Sequence, residues 1–216
     1  MHPDWLSNAY LVADQEGGTA VFVDSGAPLV PLHDAVERLG LTVTHLLTTH
    51  ADHDHVAGDD ELRNRYGLEI VKDPLETGGL RFEALETPGH KDDHLTFVAN
   101  GEAAFTGDVL FKDAVGGGNF GQIRDSVMNV LMKLPPDTRV YPGHTEETTI
   151  GREWDENPFV RVWRGEEPEG IEPVRVGGRS ATLVVWSPDY DGKGKAWVRF
   201  DDGEDAIVGG SRVERG

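Results

Sequence analysis

A cluster of metal-ligand side chains places the strongest constraint on how this chain can fold. The segment His50-Ala51-Asp52-His53-Asp54-His55 contains three histidines and two aspartates within six residues. It follows a β-branched apolar run, 42–48, that predicts a buried strand, and it precedes a predicted helix, 59–66. Imidazole and carboxylate suit Zn²⁺, Mn²⁺ or Fe, and a loop after a strand can direct several of them into one cleft. We therefore interpret the segment as a metal-binding loop rather than a solvated polar turn.

Three later segments repeat this arrangement of a ligand-type residue at the end of a predicted strand. They are Thr87-Pro88-Gly89-His90, Phe105-Thr106-Gly107-Asp108 and Tyr141-Pro142-Gly143-His144. A single histidine after Pro-Gly is more often a hydrogen-bonded turn residue than a ligand. Four such segments in one chain are hard to obtain by chance, so together they predict one metal cleft.

Hydrophobic periodicity predicts a layered α/β fold around these segments. Alternating runs at 9–12 and 19–23, joined by a glycine-containing turn, predict a hairpin. Helical spacing at 31–39, 59–66 and 123–134 alternates with strand-like runs at 68–71, 80–85, 95–98, 103–106 and 139–141. Gly40 and Gly67 are typical residues to end the first two helices. The triplet 116–118 is too glycine-rich for regular structure.

The character of the chain changes at residue 165. A polar stretch with Pro and Gly, 166–170, is typical of a linker. Short alternating runs at 181–186, 196–200 and 206–208 follow, separated by Asp/Gly turns, and they predict a small barrel-like sheet. We predict a catalytic domain at 1–164 and an all-β appendage at 165–216. No residue of the appendage suggests catalysis.

Composition narrows the classes of function. With no cysteine, any metal must be held by nitrogen and oxygen. The net charge of −19 disfavours nucleic acid and anionic membranes as partners. There is no apolar run long enough for a membrane span and no secretory signal, so a cytoplasmic location is expected. A homodimer is left open.

The order of the four segments resembles the metallo-β-lactamase superfamily, whose pattern is His-x-His-x-Asp-His, then His, Asp and His. The turn Asp24-Ser25-Gly26 is similar to the family's early aspartate turn. The stretches 134–138, 141–144, 148–151 and 157–159 resemble the hydroxyacylglutathione hydrolase (glyoxalase II) type. The resemblance covers roughly residues 6–163 and implies an αββα sandwich with the metals at one edge of its two sheets.

The resemblance also implies ligands and chemistry. Two divalent ions (Zn, Fe or Mn) would be bound, the first by His50, Asp52 and His90, the second by Asp54, His55 and His144, with Asp108 bridging them. The pair would activate a hydroxide that attacks an ester or thioester carbonyl. Asp54 would also orient the water or accept its proton.

One position departs from the family pattern, because Asp52 stands where the family has its second histidine. Three interpretations remain open. Asp52 is a ligand that favours a harder metal such as Fe or Mn; His53 replaces it; or the first site is weakened, leaving a mononuclear or inactive protein. We favour the first.

Two further residues are candidates for substrate binding. His94 lies close in sequence to His90, so it would either contact substrate or support a ligand through a hydrogen bond. Asn119 belongs to the glycine-rich segment 116–121, which is interpreted either as a rim of the pocket or as a flexible connection.

The leading hypothesis is hydrolysis of a small thioester or related ester. The glutathione-binding helical tail of glyoxalase II is missing here, and no basic residues are evident around 116–121, so another thiol carrier is open. The alternatives are a mononuclear iron persulfide dioxygenase and a non-catalytic metal-binding relative.

Overall fold

Two β-sheets face each other in the computed structural model, which describes residue 2 and residues 4–216. The strands of the first sheet are β1 (Tyr10–Ala13), β2 (Thr19–Val23), β3 (Thr42–Leu47) and β4 (Glu69–Val71). Those of the second are β5 (Leu75–Thr77), β6 (Leu80–Glu86), β7 (Leu95–Ala99), β8 (Ala103–Gly107), β11 (Arg139–Pro142) and β12 (Thr148–Thr149). The first sheet has the order β1-β2-β3-β4 and the second has the order β12-β11-β8-β7-β6-β5.

Apolar side chains fill the space between the sheets. Val21 and Leu47 of the first sheet pack against Phe82, Phe97 and Phe105 of the second. The predicted hairpin is confirmed, because β1 and β2 pair antiparallel, with Tyr10 opposite Val23. β3 and β4 then add in parallel, so the chain after β3 leaves the sheet at the same edge as the chain after β2.

Helices cover the outer faces of both sheets. α1 (Val30–Leu39) and α3 (Asp59–Tyr66) lie on the first sheet, and the short α2 (His53–Val56) precedes α3. α4 (Phe120–Asp125), α5 (Ile150–Glu156) and α6 (Pro158–Trp163) lie on the second. Gly40 and Gly67 both end their helices in the left-handed conformation, as predicted. The predicted αββα sandwich is confirmed.

The helix predicted at 123–134 begins earlier and is less regular than expected. The Asn119 side chain accepts the Gln122 N–H and so caps a helix that begins at Phe120, three residues before the predicted start. After α4 the helix widens into a π turn at Ser126–Val130 and tightens into a 3-10 turn at Leu131–Lys133. It ends before Pro135, which cannot continue a helix.

The segment 165–216, called here the C-terminal module, is all-β as predicted. β13 (Glu172–Val176), β14 (Arg179–Ser187), β15 (Lys195–Phe200), β16 (Asp205–Gly209) and β17 (Val213–Arg215) form one antiparallel sheet. The expected barrel-like closure is wrong, because β16 and β17 lie at opposite edges in the order β16-β15-β14-β13-β17. Val185, Trp197 and Ile207 join the same core as Ile123 and Phe159, so one face of the sheet is buried against the helix layer.

A short hairpin, β9 (Leu110–Phe111) with β10 (Ala114–Val115), links β8 to the glycine-rich segment 116–121. Within the described part of the chain, no helix combines the length and the apolar character needed to cross a membrane.

Gly26 provides a test of how tightly the metal-binding loop is packed. A Cβ at this position would lie 1.5 Å from the backbone oxygen of Asp54. Because backbone cannot move aside as a flexible side chain can, Gly26→Ala should destabilise the fold by about 3 kcal/mol. Chemical denaturation measures the loss. Gly121→Ala is the matched control, since its added carbon would meet the Asn119 oxygen at 3.6 Å, an ordinary contact. Equal stability of the two variants would contradict the prediction.

Candidate metal centre

The buried carboxylate of Asp24 organises the loop that follows β3. One of its oxygens accepts the backbone N–H of Thr49 at 2.8 Å, and the other accepts the Thr49 hydroxyl at 2.8 Å. The second oxygen also accepts the Nδ1–H of His55 at 2.8 Å. Asp24 lies at the end of β2 with φ 55°, a left-handed conformation that Asp tolerates better than most residues. The early aspartate turn therefore holds both ends of the segment 49–55.

Four histidines are oriented in the same way, each by a hydrogen bond through Nδ1. His55 donates to Asp24, as above, and His50 donates to the Thr49 hydroxyl oxygen at 3.0 Å. His90 donates to the Gly117 carbonyl at 2.9 Å, and His144 donates to the Leu6 carbonyl at 3.0 Å. With Nδ1 carrying the proton, the lone pair of each neutral ring lies on Nε2, which faces the cleft.

The predicted ligand residues come together as two groups around Asp108. His50, Asp52 and His90 form one group, and Asp54, His55 and His144 form the other, with the potential ligand atoms of each group within 4.8 Å of one another. The Asp108 carboxylate lies between them: one oxygen is 3.3 Å from His55 Nε2, and the other is 3.3 Å from His144 Nε2. That second oxygen is also 3.8 Å from His90 Nε2.

The order of strands explains why segments far apart in sequence meet here. β8 and β11 run parallel and adjacent, with Pro142 opposite Gly107, and the Gly143 N–H donates to the Gly107 carbonyl at 2.8 Å. Asp108, which directly follows β8, and His144, two residues after β11, therefore leave the sheet at the same edge. Gly143 permits this approach, because a Cβ there would lie 2.3 Å from an Asp108 carboxylate oxygen.

Asp52 lies in the place that the ligand pattern requires. One of its oxygens is 3.1 Å from His90 Nε2 and 3.8 Å from His50 Nε2, and the other is 2.7 Å from Lys91 Nζ. His53 is exposed at the start of α2, and its ring contacts the edge of the Trp5 indole. This arrangement favours the interpretation in which Asp52, not His53, is the ligand.

His94 is placed as a support for Asp108. Its side chain is buried, its Nε2 accepts the backbone N–H of Asp108 at 3.1 Å, and its Nδ1–H donates to the Thr87 hydroxyl at 3.0 Å. Burial lowers the pKa of His94 to about 3, which keeps the ring neutral. Both ring nitrogens of His94 already form hydrogen bonds within the protein. This placement therefore fits a supporting role better than contact with substrate, the other role that the sequence left open.

Asn119 and the glycines before it have structural roles that the sequence did not indicate. The exposed Asn119 caps α4 and is not among the residues that line the cleft beside the ligand groups. A Cβ at Gly116 would lie 1.8 Å from the Asp108 backbone oxygen, and one at Gly118 would lie 2.1 Å from the Gly89 oxygen. The glycines therefore allow close packing of backbone around Asp108 and His90.

Burial and neighbouring charges shift the pKa values of the side chains in the cluster. Burial, aided by the positive charge of His55, lowers the pKa of His50 to about 2. Burial opposes protonation of His55 as well, but the Asp108 and Asp24 carboxylates outweigh it and raise the pKa of His55 to about 11. Burial would raise the pKa of Asp108, yet His144 and His55 hold it well below the usual range. When no cation is bound, a proton on His55 therefore compensates the negative charge of the buried carboxylates.

The residues fit a divalent cation. Three buried atoms that face the centre, His50 Nε2, His55 Nε2 and Asp108 Oδ1, have no hydrogen-bond partner within the part of the chain that the structure describes. Leaving buried polar atoms unpaired is costly, and imidazole nitrogen with carboxylate oxygen is a donor set suited to Zn, Mn or Fe.

Sequence reasoning missed the residues of the C-terminal module that line the cleft beside His90 and Asp108, three of which have polar or charged side chains. These three are Tyr190, Lys195 and Arg212. The Tyr190 ring stacks on the His144 ring, with centroids 4.1 Å apart and an interplanar angle of 9°. No local motif marks these residues, since only the packing of the module brings them to the cleft.

Comparisons with known proteins agree with this geometry. The sequence profile described as "Metallo-beta-lactamase superfamily" matches residues 2–78. The hydroxyacylglutathione hydrolase GloC of Haemophilus influenzae is 30% identical, over 71% of this chain and 92% of that protein. A hydroxyacylglutathione hydrolase of Rhodopseudomonas palustris (strain BisA53) is 35% identical over 62% of this chain, but the match spans only 61% of that longer relative. The crystal structure of TTHA1623 in a di-iron-bound form is 29% identical, with a TM-score of 0.62 over 74% of this chain and 97% of the other.

The sandwich, the four strand-end segments and these matches define a metal-dependent hydrolase fold, and the chain belongs to the metallo-β-lactamase superfamily. Within that superfamily it is glyoxalase II-like.

Asp24→Asn tests the role of the aspartate turn. Loss of the charge should weaken the hold on His55 Nδ1 and lower metal affinity by about 10- to 100-fold, the usual cost of removing such a support. Competition with a chromophoric chelator measures the affinity. Asp14→Asn is a control with the same change in charge, because Asp14 accepts the N–H groups of Thr19 and Gly79, outside the cluster. An unchanged affinity in Asp24→Asn would contradict the assignment.

Metal binding should release protons near neutral pH. A ligating histidine must be neutral, whereas His55, with its pKa raised to about 11, is protonated at pH 7 in the metal-free protein. Apparent affinity should therefore rise as pH rises from 6 to 8, about tenfold per unit for each proton released. Calorimetric titration of Zn²⁺ in buffers of different ionisation enthalpy counts these protons. Identical heats in all buffers would contradict the expectation.

Proposed function

We propose that this chain hydrolyses a thioester or related ester of a small molecule with the help of two divalent metal ions. The observation that carries the proposal is the pair of ligand groups on either side of Asp108, each with three ligand-type side chains. The relatives named hydroxyacylglutathione hydrolase support the thioester as the substrate class.

Each residue has a defined part in this proposal. His50, Asp52 and His90 would hold one ion, Asp54, His55 and His144 the other, and Asp108 both. The ions would supply Lewis acidity, which activates water and polarises a carbonyl group. The di-iron form of TTHA1623 and the extra carboxylate of Asp52 favour Fe or Mn over Zn at the first position.

The chain's own residues can provide the proton chemistry, and the lining of the cleft favours direct attack by water. Asp54 is partly exposed, with one carboxylate oxygen 3.5 Å from His144 Nε2, so it can orient a water or accept its proton. Within the described part of the chain, no Ser or Thr lines the cleft beside His90 and Asp108, and the sequence has no cysteine. Direct attack by water therefore fits better than an acyl-enzyme route.

Metal analysis and a thioester assay on the same preparations test the proposal. Protein purified without added metal or a His tag should contain about two ions of Fe, Mn or Zn per chain and cleave a hydroxyacyl thioester. Asp52→Ala removes one carboxylate of the first group, so it should lose about one ion and at least about 100-fold in kcat/KM. His53→Ala is the matched control, because His53 is exposed and belongs to neither ligand group, and both properties should remain.

Three results would count against the proposal. Unchanged metal content and activity in Asp52→Ala would remove Asp52 from the site. A single Fe per chain, with oxygen uptake on a persulfide substrate, would identify a mononuclear dioxygenase instead. Unaltered stability after metal removal, with no ester cleaved, would identify a non-catalytic relative.

A further inference from the structure

The C-terminal module is fixed against the rim of the metal cleft. Ile207 of β16 forms a β-bridge with Gly118, in the glycine-rich segment that packs on His90. The Ser187 hydroxyl at the end of β14 donates to the Asp113 carbonyl. These contacts, with the shared apolar core, place the loop between β14 and β15 and the end of β16 beside the ligand groups.

The module thereby forms one wall of a cleft of about 270 Å³. His90 and Asp108 also line this cleft, and Tyr190, Lys195 and Arg212 belong to the wall that the module forms. Tyr190 also lines a second cleft, of about 310 Å³. A volume of this size fits the reacting end of a small metabolite together with one charged group.

The two cationic residues of the wall differ in what they can still bind. Lys195 is buried, and its ammonium lies 3.0 Å from the Asp189 carboxylate, which is also buried, so its charge is already balanced. Arg212 is exposed on the 3-10 turn Gly210–Arg212 after β16. Its neighbour Arg215 pairs with Glu172, whereas Arg212 has no ion-pair partner within residues 2 and 4–216.

The second cleft offers no comparable cation. Its lysine, Lys112, lies 2.6 Å from the Glu146 carboxylate, and its remaining charged residues, Asp113 and Asp189, are acidic and paired with Arg152 and Lys195. An anionic group would therefore be drawn to the cleft that Arg212 lines. A cation without an acidic partner is needed to attract an anion here, because the net charge of −19 gives the chain an overall field that repels anions.

We propose that Arg212 binds a carboxylate of the substrate, so that the C-terminal module selects thioesters whose acyl or thiol part is anionic. A guanidinium can hold a carboxylate through two parallel hydrogen bonds, which fixes its orientation as well as its charge. Tyr190 and the end of β16 would line the path from that carboxylate to the ligand groups. The inference deepens the proposed function and rests on it for the reacting group.

Binding of unreactive thioethers to the metal-loaded protein tests the inference without requiring catalysis. The probes are S-hexylglutathione, which carries carboxylates, and S-hexyl-N-acetylcysteamine, which is neutral. Arg212→Gln should weaken S-hexylglutathione about fivefold or more, as expected for one partly exposed ion pair, and leave the neutral probe unchanged. Arg212→Lys should restore part of the loss. Calorimetry gives the dissociation constants.

Arg175→Gln is the matched control, because Arg175 is an exposed arginine of β13 in the same sheet and its loss changes the net charge equally. An equal weakening in Arg175→Gln would reduce the effect to long-range charge and overturn the inference. Unchanged binding in Arg212→Gln, or no binding of S-hexylglutathione to the wild type at millimolar concentration, would overturn it too. A protein that binds as expected but cleaves no thioester would refute the proposed function and leave the anion site standing.

Discussion

The geometry of the candidate metal centre depends on one buried carboxylate, that of Asp24. An ionised carboxylate removed from water must be compensated by hydrogen bonds or by opposite charge, and Asp24 has both, from Thr49 and from His55. These hydrogen bonds fix the position of Thr49, where the loop after β3 begins, and they determine which nitrogen of His55 faces the cleft. A short, rigid loop can then present several ligand-type atoms to one point, which the unconstrained sequence could not do.

The same principle recurs around the cluster with different partners. A hydroxyl orients His50, and the backbone carbonyls of Gly117 and Leu6 orient His90 and His144. Each anchor comes from a different part of the chain, so the arrangement of the rings is a property of the whole sandwich. The Nε2 atoms of these rings and the carboxylate of Asp108 are thereby brought close together, as the ligands of one site must be.

The sequence alone could predict the sandwich and the cluster because both leave local signals. Each signal lies within a few residues of sequence: the alternation of apolar and polar residues in strands, the glycines that end helices, and the ligand-type residues at the ends of four strands. The roles of His94 and Asn119 could not be predicted from the sequence, because they depend on which backbone N–H lies beside each side chain. Tyr190 and Arg212 were missed for a further reason: the turns of the C-terminal module resemble any polar turn until the sheet packs on the helix layer. Whether 164/165 is a true domain boundary stays a prediction, although the shared core around Trp197 shows that the two parts are packed together.

The hydrogen bond from His144 to the Leu6 carbonyl joins residues 138 positions apart, and Tyr190 covers the same ring from a third region of the chain. During synthesis on the ribosome, the segment 50–55 emerges long before His144 or Tyr190. A chain synthesised only to residue 55 has neither of these rings, so it cannot yet have the geometry of the cluster. That geometry can be completed only after almost the whole polypeptide has been made.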